Sequence, residues 1–192
     1  MNFLHLARLL TTILLAAAFA LPAAARDRAE EKRDEVRRMR DQVLAQLYET
    51  NPGAKAAIRE AAGYAVFSNV GVNMLFASVA GGSGIVVERG SLRDSETFMN
   101  MGSAGVGLGL GVKDFRVVFI FHDRARLREF IEKGWDFSGQ ADAAAKSDDK
   151  GAAVSGAVTV QPGVEVYQLT KNGVALQVTL QGTKYWKDRD LN

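Results

Sequence analysis

The sequence predicts an α+β fold. Two N-terminal helices precede a twisted antiparallel β-sheet of about eight strands, forming a sandwich or a partly closed barrel, with one helix inserted at 123–133. Three observations predict it. Arg26 to Thr50 is dense in charge, and its apolar residues recur every three or four positions, the period of one helix face. After Gly63 the character changes to β-branched and aromatic runs punctuated by Gly, Pro and Asn. Between Gly105 and Val112, glycine alternates strictly with Val106, Leu108, Leu110 and Val112. Successive strand side chains point to opposite faces, so this ladder has one branched apolar face and one face of bare backbone. Glycine inside a strand costs roughly 0.5–1 kcal/mol relative to alanine, so close approach of a ring, a sheet or a ligand is the expected compensation. Lys113-Asp114 is expected to turn the ladder into a strand from Phe115 to Phe121, and this pair is expected at the centre of the sheet.

Taken in order, Met1 to Ala25 reads as a secretory signal. It has a weakly basic start (His5, Arg8), an apolar run from Leu9 to Leu21, and Pro22-Ala23-Ala24-Ala25 before Arg26. The run is shorter than the roughly 20 residues of a membrane span. Cleavage between Ala25 and Arg26 would give a periplasmic or secreted protein. The domain plan is then a signal at 1–25, an amphipathic helical segment at 26–50 and a folded domain at 51–192. The chain has no cysteine, so an exported form relies on packing and not on disulfides. Its net charge of +2 is too small for a nucleic-acid binder, which needs a strong basic excess against phosphate.

In the 26–50 helix the apolar stripe is Val36, Met39, Val43 and Leu47, with Leu44 at its edge and Arg40 inside it. Lys32, Arg33, Arg37, Arg38 and Arg40 supply positive charge, offset by Asp27, Glu30, Glu31, Asp34, Glu35 and Asp41. Two readings follow. The helix lies on a membrane surface, or it docks by its stripe on the domain with a solvated, ion-paired outer face. Asn51-Pro52 restarts a helix over Gly53 to Ala62, with Asn51 as cap, and Gly63 ends it. Strands are expected at Tyr64–Val70, Val72–Ala80, Ile85–Glu88 and Glu96–Met101, then at Ala153–Val160, Val164–Thr170 and Val174–Gly182. Pro162-Gly163 and Asn172-Gly173 mark the turns between the last three. Asp123 is expected to cap the inserted helix, which buries Leu127, Phe130 and Ile131 and stops at Gly134.

Little catalytic chemistry is legible. His122 is the one histidine after residue 25, too few for a zinc site, and it reads as a strand-end residue beside a helix cap. No metal and no cofactor is expected. Gly81, Gly82, Ser83 and Gly84 offer backbone N–H groups to an anion, or form a bulge where strands cross closely. They are not a phosphate loop, because a strand and not a helix follows them. Asp148-Asp149 sits in a polar loop. Glu88, Asp94 and Glu96 are placed to cluster across a hairpin. Tyr185-Trp186, between Lys184 and Lys187, is an aromatic-basic patch suited to a headgroup boundary or to plugging the end of a last strand.

Three stretches resemble the SYLF domain, a lipid-binding family also labelled as a yeast-type actin-binding domain. They are Ala61-Ala-Gly-Tyr-Ala-Val-Phe67 with Gly81-Gly-Ser-Gly-Ile-Val-Val87, Met101-Gly-Ser-Ala-Gly-Val-Gly-Leu-Gly-Leu-Gly111 with Asp114-Phe-Arg-Val-Val-Phe-Ile120, and Val166-Tyr-Gln-Leu-Thr-Lys-Asn-Gly173 with Val178-Thr-Leu-Gln-Gly182. The resemblance spans roughly residues 50–190, and with its signal segment the chain looks like a bacterial, exported version of the family. It implies a non-enzymatic module for anionic phospholipid or a membrane surface, with an amphipathic N-terminal helix contributing. The contact residues expected on that basis are Lys32, Arg33, Arg37, Arg38 and Arg40, with Met39, Val43 and Leu47 entering the interface, or the backbone of Gly81–Gly84. The other expectation is a structural module of the cell envelope that uses the helix stripe to dock an envelope protein.

Overall fold

The computed structural model describes residues 3–74, 77–105, 116–137, 158–170, 173–174 and 183–192. Three helices accompany one curled antiparallel sheet. The helices are α1 (Phe3–Thr50), α2 (Gly53–Glu60) and α3 (Arg124–Lys133). The strands are β1 (Gly63–Met74), β2 (Ala77–Glu88), β3 (Ser95–Gly105), β4 (Arg116–Phe121), β5 (Trp135–Asp136), β6 (Val158–Gln161), β7 (Val164–Thr170), β8 (Gly173–Val174) and β9 (Thr183–Lys187). Their order is β5-β9-β3-β2-β1-β4-β7-β6, with β8 pairing β7. The α+β class and the curled sheet are as the sequence predicts.

The sheet carries a core on each face, divided by the period-two alternation of its strands. Tyr64, Val66, Ile85, Val87, Phe98, Val118, Ile120, Tyr167 and Leu169 point to one side, where α1 lays Val36, Val43, Leu44 and Leu47 over them. Ala65, Phe67, Val86, Met99, Met101, Val117, Phe119 and Phe121 point to the other side, under Leu127 and Phe130 of α3. β4 is apolar at five consecutive positions because both of its faces are covered. On the α3 side the rings form one cluster. Tyr185 meets Phe67 at 4.7 Å between centroids, and Phe130 meets Trp135 at 4.8 Å, both tilted or edge-on as aromatic quadrupoles prefer.

Local signals account for the ends of several elements. The Asp123 carboxylate accepts from the Ala125 N–H at 2.7 Å, which caps α3. Gly134 ends it at φ +68°, the left-handed region that glycine tolerates. Gly163 takes φ +77° in the β6–β7 turn, with Gln161 facing Val164, as Pro-Gly predicts. α2 follows Pro52, whose preset φ already gives it helical angles, and the Asn51 carbonyl accepts the Ala54 N–H at 3.1 Å.

One expectation about the strands is corrected. Gly81–Gly84 does not interrupt anything: β1 and β2 form one hairpin with unbroken register from Gly63↔Glu88 to Met74↔Ala77. The pairing expected between the glycine ladder and Phe115–Phe121 lies outside the described residues, since nothing from 106 to 115 is described; the two described strands that flank it, β3 and β4, are not neighbours. β3 pairs β2 and β9, whereas β4 pairs β1 and β7, so two strands stand between them. The glycines from 107 to 111 and the turn at 113–114 lie outside the described residues, as does Asp148-Asp149. At Gly102, which precedes the ladder, the Trp186 indole lies so near that an added Cβ would meet it at 3.1 Å.

Candidate functional site

The first surface to test is the basic face of α1. Glu96 of β3 receives Arg37 Nε at 2.9 Å and Arg40 Nη1 at 2.8 Å. Arg37 also reaches Glu30 and Asp34, and its guanidinium sits 5.4 Å over the Phe98 ring. Hydrogen bonds from Arg33 and Arg37 hold the Glu30 carboxyl below its ordinary pKa. Arg33 Nε donates to the Leu191 carbonyl at 2.8 Å, and Arg116 Nη1 to Gln46 Oε1 at 2.8 Å. Arginine forks thus bolt α1 to the sheet. Lys32 and Arg38 are exposed.

The stripe beneath is occupied. Val36, Val43 and Leu47 are at most 3% exposed, and Met39 packs half-buried against the same cluster. The expectation that Met39, Val43 and Leu47 enter a lipid interface is therefore corrected. Those side chains already cover the sheet, and lifting them would open the core. The same burial removes the stripe as a docking face for an envelope protein. Arg33, Arg37 and Arg40 are likewise committed to carboxylates or a carbonyl. We expect Glu96→Gln to leave the fold intact and to cost about 1 kcal/mol, since these pairs are partly exposed; urea unfolding measures it.

Gly81, Gly82, Ser83 and Gly84 are corrected as an anion cradle. They lie inside β2, paired to β1 on one edge and β3 on the other, so their backbone groups belong to the two ladders. Their small size serves packing. An added Cβ on Gly84 would sit 2.1 Å from the Phe67 ring, and on Gly82 2.3 Å from the Ser68 carbonyl oxygen. His122 Nε2 meets Glu165 Oε1 at 3.2 Å at a strand end, the structural reading of that residue. Glu88, Asp94 and Glu96 take arginine partners separately: Glu88 binds Arg124 and Arg128, and Asp94 binds Arg89. Among the described residues no group of three or more His, Asp or Glu is placed to hold a metal ion.

The second half of the Tyr185-Trp186 pair leads to a surface. β9, whose strand character the sequence reading missed, alternates its side chains. Tyr185 is 1% exposed in the aromatic core, whereas Trp186 is 41% exposed on the opposite face. Burial pushes the Tyr185 phenol well up. Trp186 borders an open depression of about 390 Å³ with Lys133, Lys187 and Arg189. Glu132 and Asp188 also line it, and the Asp188 carboxylate is buried and accepts the Asp190 and Leu191 N–H groups. Lys184, beside it on β9, pairs with Asp136 at 3.1 Å. An indole edged by cations, half in water, fits a boundary between charged headgroups and acyl chains. Among the described residues Trp186 and Leu92 are the two exposed large apolar side chains.

No family model matches the chain. A curated relative does. The chain is similar to beta cell expansion factor A of Aeromonas veronii, 32% identical over 165 residues. That is 85% of this chain and 60% of the relative, so the chain spans about three-fifths of the protein it matches. The shared stretch is long enough to include most of the sheet described above.

Proposed function

We propose that this protein is an exported, non-enzymatic module of the SYLF type that binds anionic phospholipid at a membrane surface. The observation that carries the reading is Trp186, exposed at the sheet edge in a depression shared with Lys133, Lys187 and Arg189. The resemblance of the glycine-rich stretches to a lipid-binding family supports it. In this reading residues 1–25 are the export signal. Cleavage after Ala25 would shorten α1, which runs unbroken across that bond, yet keep its docked part, whose packing begins at Ala29. Among the described residues no helix is long and apolar enough to cross a membrane.

The test is co-sedimentation of the purified protein with phosphatidylcholine vesicles containing increasing phosphatidylglycerol, at low and high salt. Binding is expected to rise with anionic lipid and fall with salt. Trp186→Ala is expected to weaken it about tenfold, the equivalent of losing half the burial of a large apolar side chain. Absence of binding at every composition would remove the proposal.

A further inference from the structure

We infer that the β2–β3 loop, residues 89–94, is an insertion element that puts Leu92 into the bilayer and sets the end of the sheet against the membrane. This rests on the lipid-binding reading above. Leu92 is 100% exposed at the loop tip. At that exposure the side chain makes no apolar contact in the folded domain, and it stands in a turn, where polar residues predominate. Insertion would bury the whole side chain.

The surroundings of the loop carry the argument further. The C-terminal turn of α2, the loop and the first turns of α3 are tied together at this end. Arg89 Nη2 donates to the Ile58 carbonyl at 3.4 Å, and Arg124 Nη2 to the Arg89 carbonyl at 2.8 Å. Five arginines result (Arg59, Arg89, Arg93, Arg124 and Arg128) beside the carboxylates of Glu60, Glu88 and Asp94, and Arg93 borders a depression that also holds Arg40, Asp41 and Glu96. Glu88 is shared between two guanidiniums, so it cannot neutralise both. Arg93, next to Leu92, is exposed and forms no ion pair among the described residues. One fully exposed leucine next to the exposed, unpaired Arg93 and the doubly shared Glu88 matches the layered chemistry of an anionic bilayer, apolar at depth and phosphate above. The loop is also held and not slack: the Asp94 carboxylate accepts the Gly90 N–H at 3.3 Å and binds Arg89 at 3.3 Å. Its end of the molecule is the one toward which the Trp186 surface extends. β9 runs down β3 until Lys187 faces Met99, on the strand that the loop enters at Ser95.

The absence of cysteine gives a direct test. Leu92→Cys in the full chain, labelled with an environment-sensitive nitrobenzoxadiazole dye, is mixed with phosphatidylcholine–phosphatidylglycerol vesicles. The same dye on Gln42→Cys, exposed on the outer face of α1, is the control. Emission at position 92 is expected to rise and shift to the blue, and to be quenched by spin-labelled acyl chains, with position 42 unchanged. Arg93→Glu is expected to weaken binding roughly tenfold through charge reversal at the surface. If the protein sediments with vesicles while the dye at 92 stays in water, the loop is not the insertion element and the lipid-binding reading survives. If the protein does not bind vesicles at all, both are overturned.

Discussion

A protein carrying Leu47→Asp is expected to show no cooperative unfolding transition, or one at far lower urea than the parent. Leu47 is fully buried among the residues that α1 and the sheet contribute jointly. Truncating such a leucine to alanine costs about 2–5 kcal/mol. Aspartate adds an unpaired carboxylate in an apolar setting, worth several kcal/mol more unless it stays protonated. A domain of this size holds a net stability of about 5–15 kcal/mol, so one such change consumes most of it. Gln42→Asp, on the exposed face of the same helix, is expected to stay within about 0.5 kcal/mol of the parent. Far-UV circular dichroism through a urea titration reads both. Parental stability in Leu47→Asp would show that α1 is not docked in solution. The pairing also matters for membrane experiments: a stripe variant that loses lipid binding through unfolding says nothing about lipid.

Gly84→Ala is the second large effect. The added methyl would meet the Phe67 ring at 2.1 Å and the Val66 carbonyl oxygen at 2.5 Å. The ring is itself held by Phe119, Phe130 and Tyr185, so it has little room to yield. A cost of about 3 kcal/mol is expected. Gly81→Ala, three residues away in the same strand, meets nothing within 4 Å and is expected to be neutral or slightly stabilising. Phe67→Leu in the Gly84→Ala background is expected to recover part of the loss by removing the clashing ring edge. Equal, small effects at 81 and 84 would refute the packing account of these glycines.

These two sites show what was legible in the sequence. The α1 stripe was read correctly as a stripe, because Val36, Val43 and Leu47 repeat at helical spacing whatever they pack against. Periodicity does not say whether the far side is a bilayer or a sheet, and that is where the reading of the contact residues departed from the structure. α3 was legible at both ends, since an aspartate cap and a glycine stop act within a few residues. Gly81-Gly-Ser-Gly84 looked like a break, because strand propensity counts a missing side chain as a loss. The ring of Phe67, opposite in the register, needs that space and lies too far along the chain for local rules to connect. The same holds for the sheet order. Consecutive segments tend to pair, yet β1 and β2 intervene between β3 and β4. β9 was missed as a strand because Thr183–Lys187 is short and sets a single apolar side chain, Tyr185, inward against Lys184 and Trp186 outward.

The bond from Arg33 to the Leu191 carbonyl has a consequence for biosynthesis. The two residues are separated by 158 positions, so Leu191 leaves the ribosome long after Arg33. Until it does, the stripe of α1 has only part of its cover, and Glu96 and Phe98 hold the helix without the 188–192 segment that clasps Phe98 through Asn192. Long-range closure of this kind delays completion of the native state. If the chain is exported as proposed above, that delay is useful: α1 would lead the way into a translocation channel, and one of its native partners arrives only at the end of the chain.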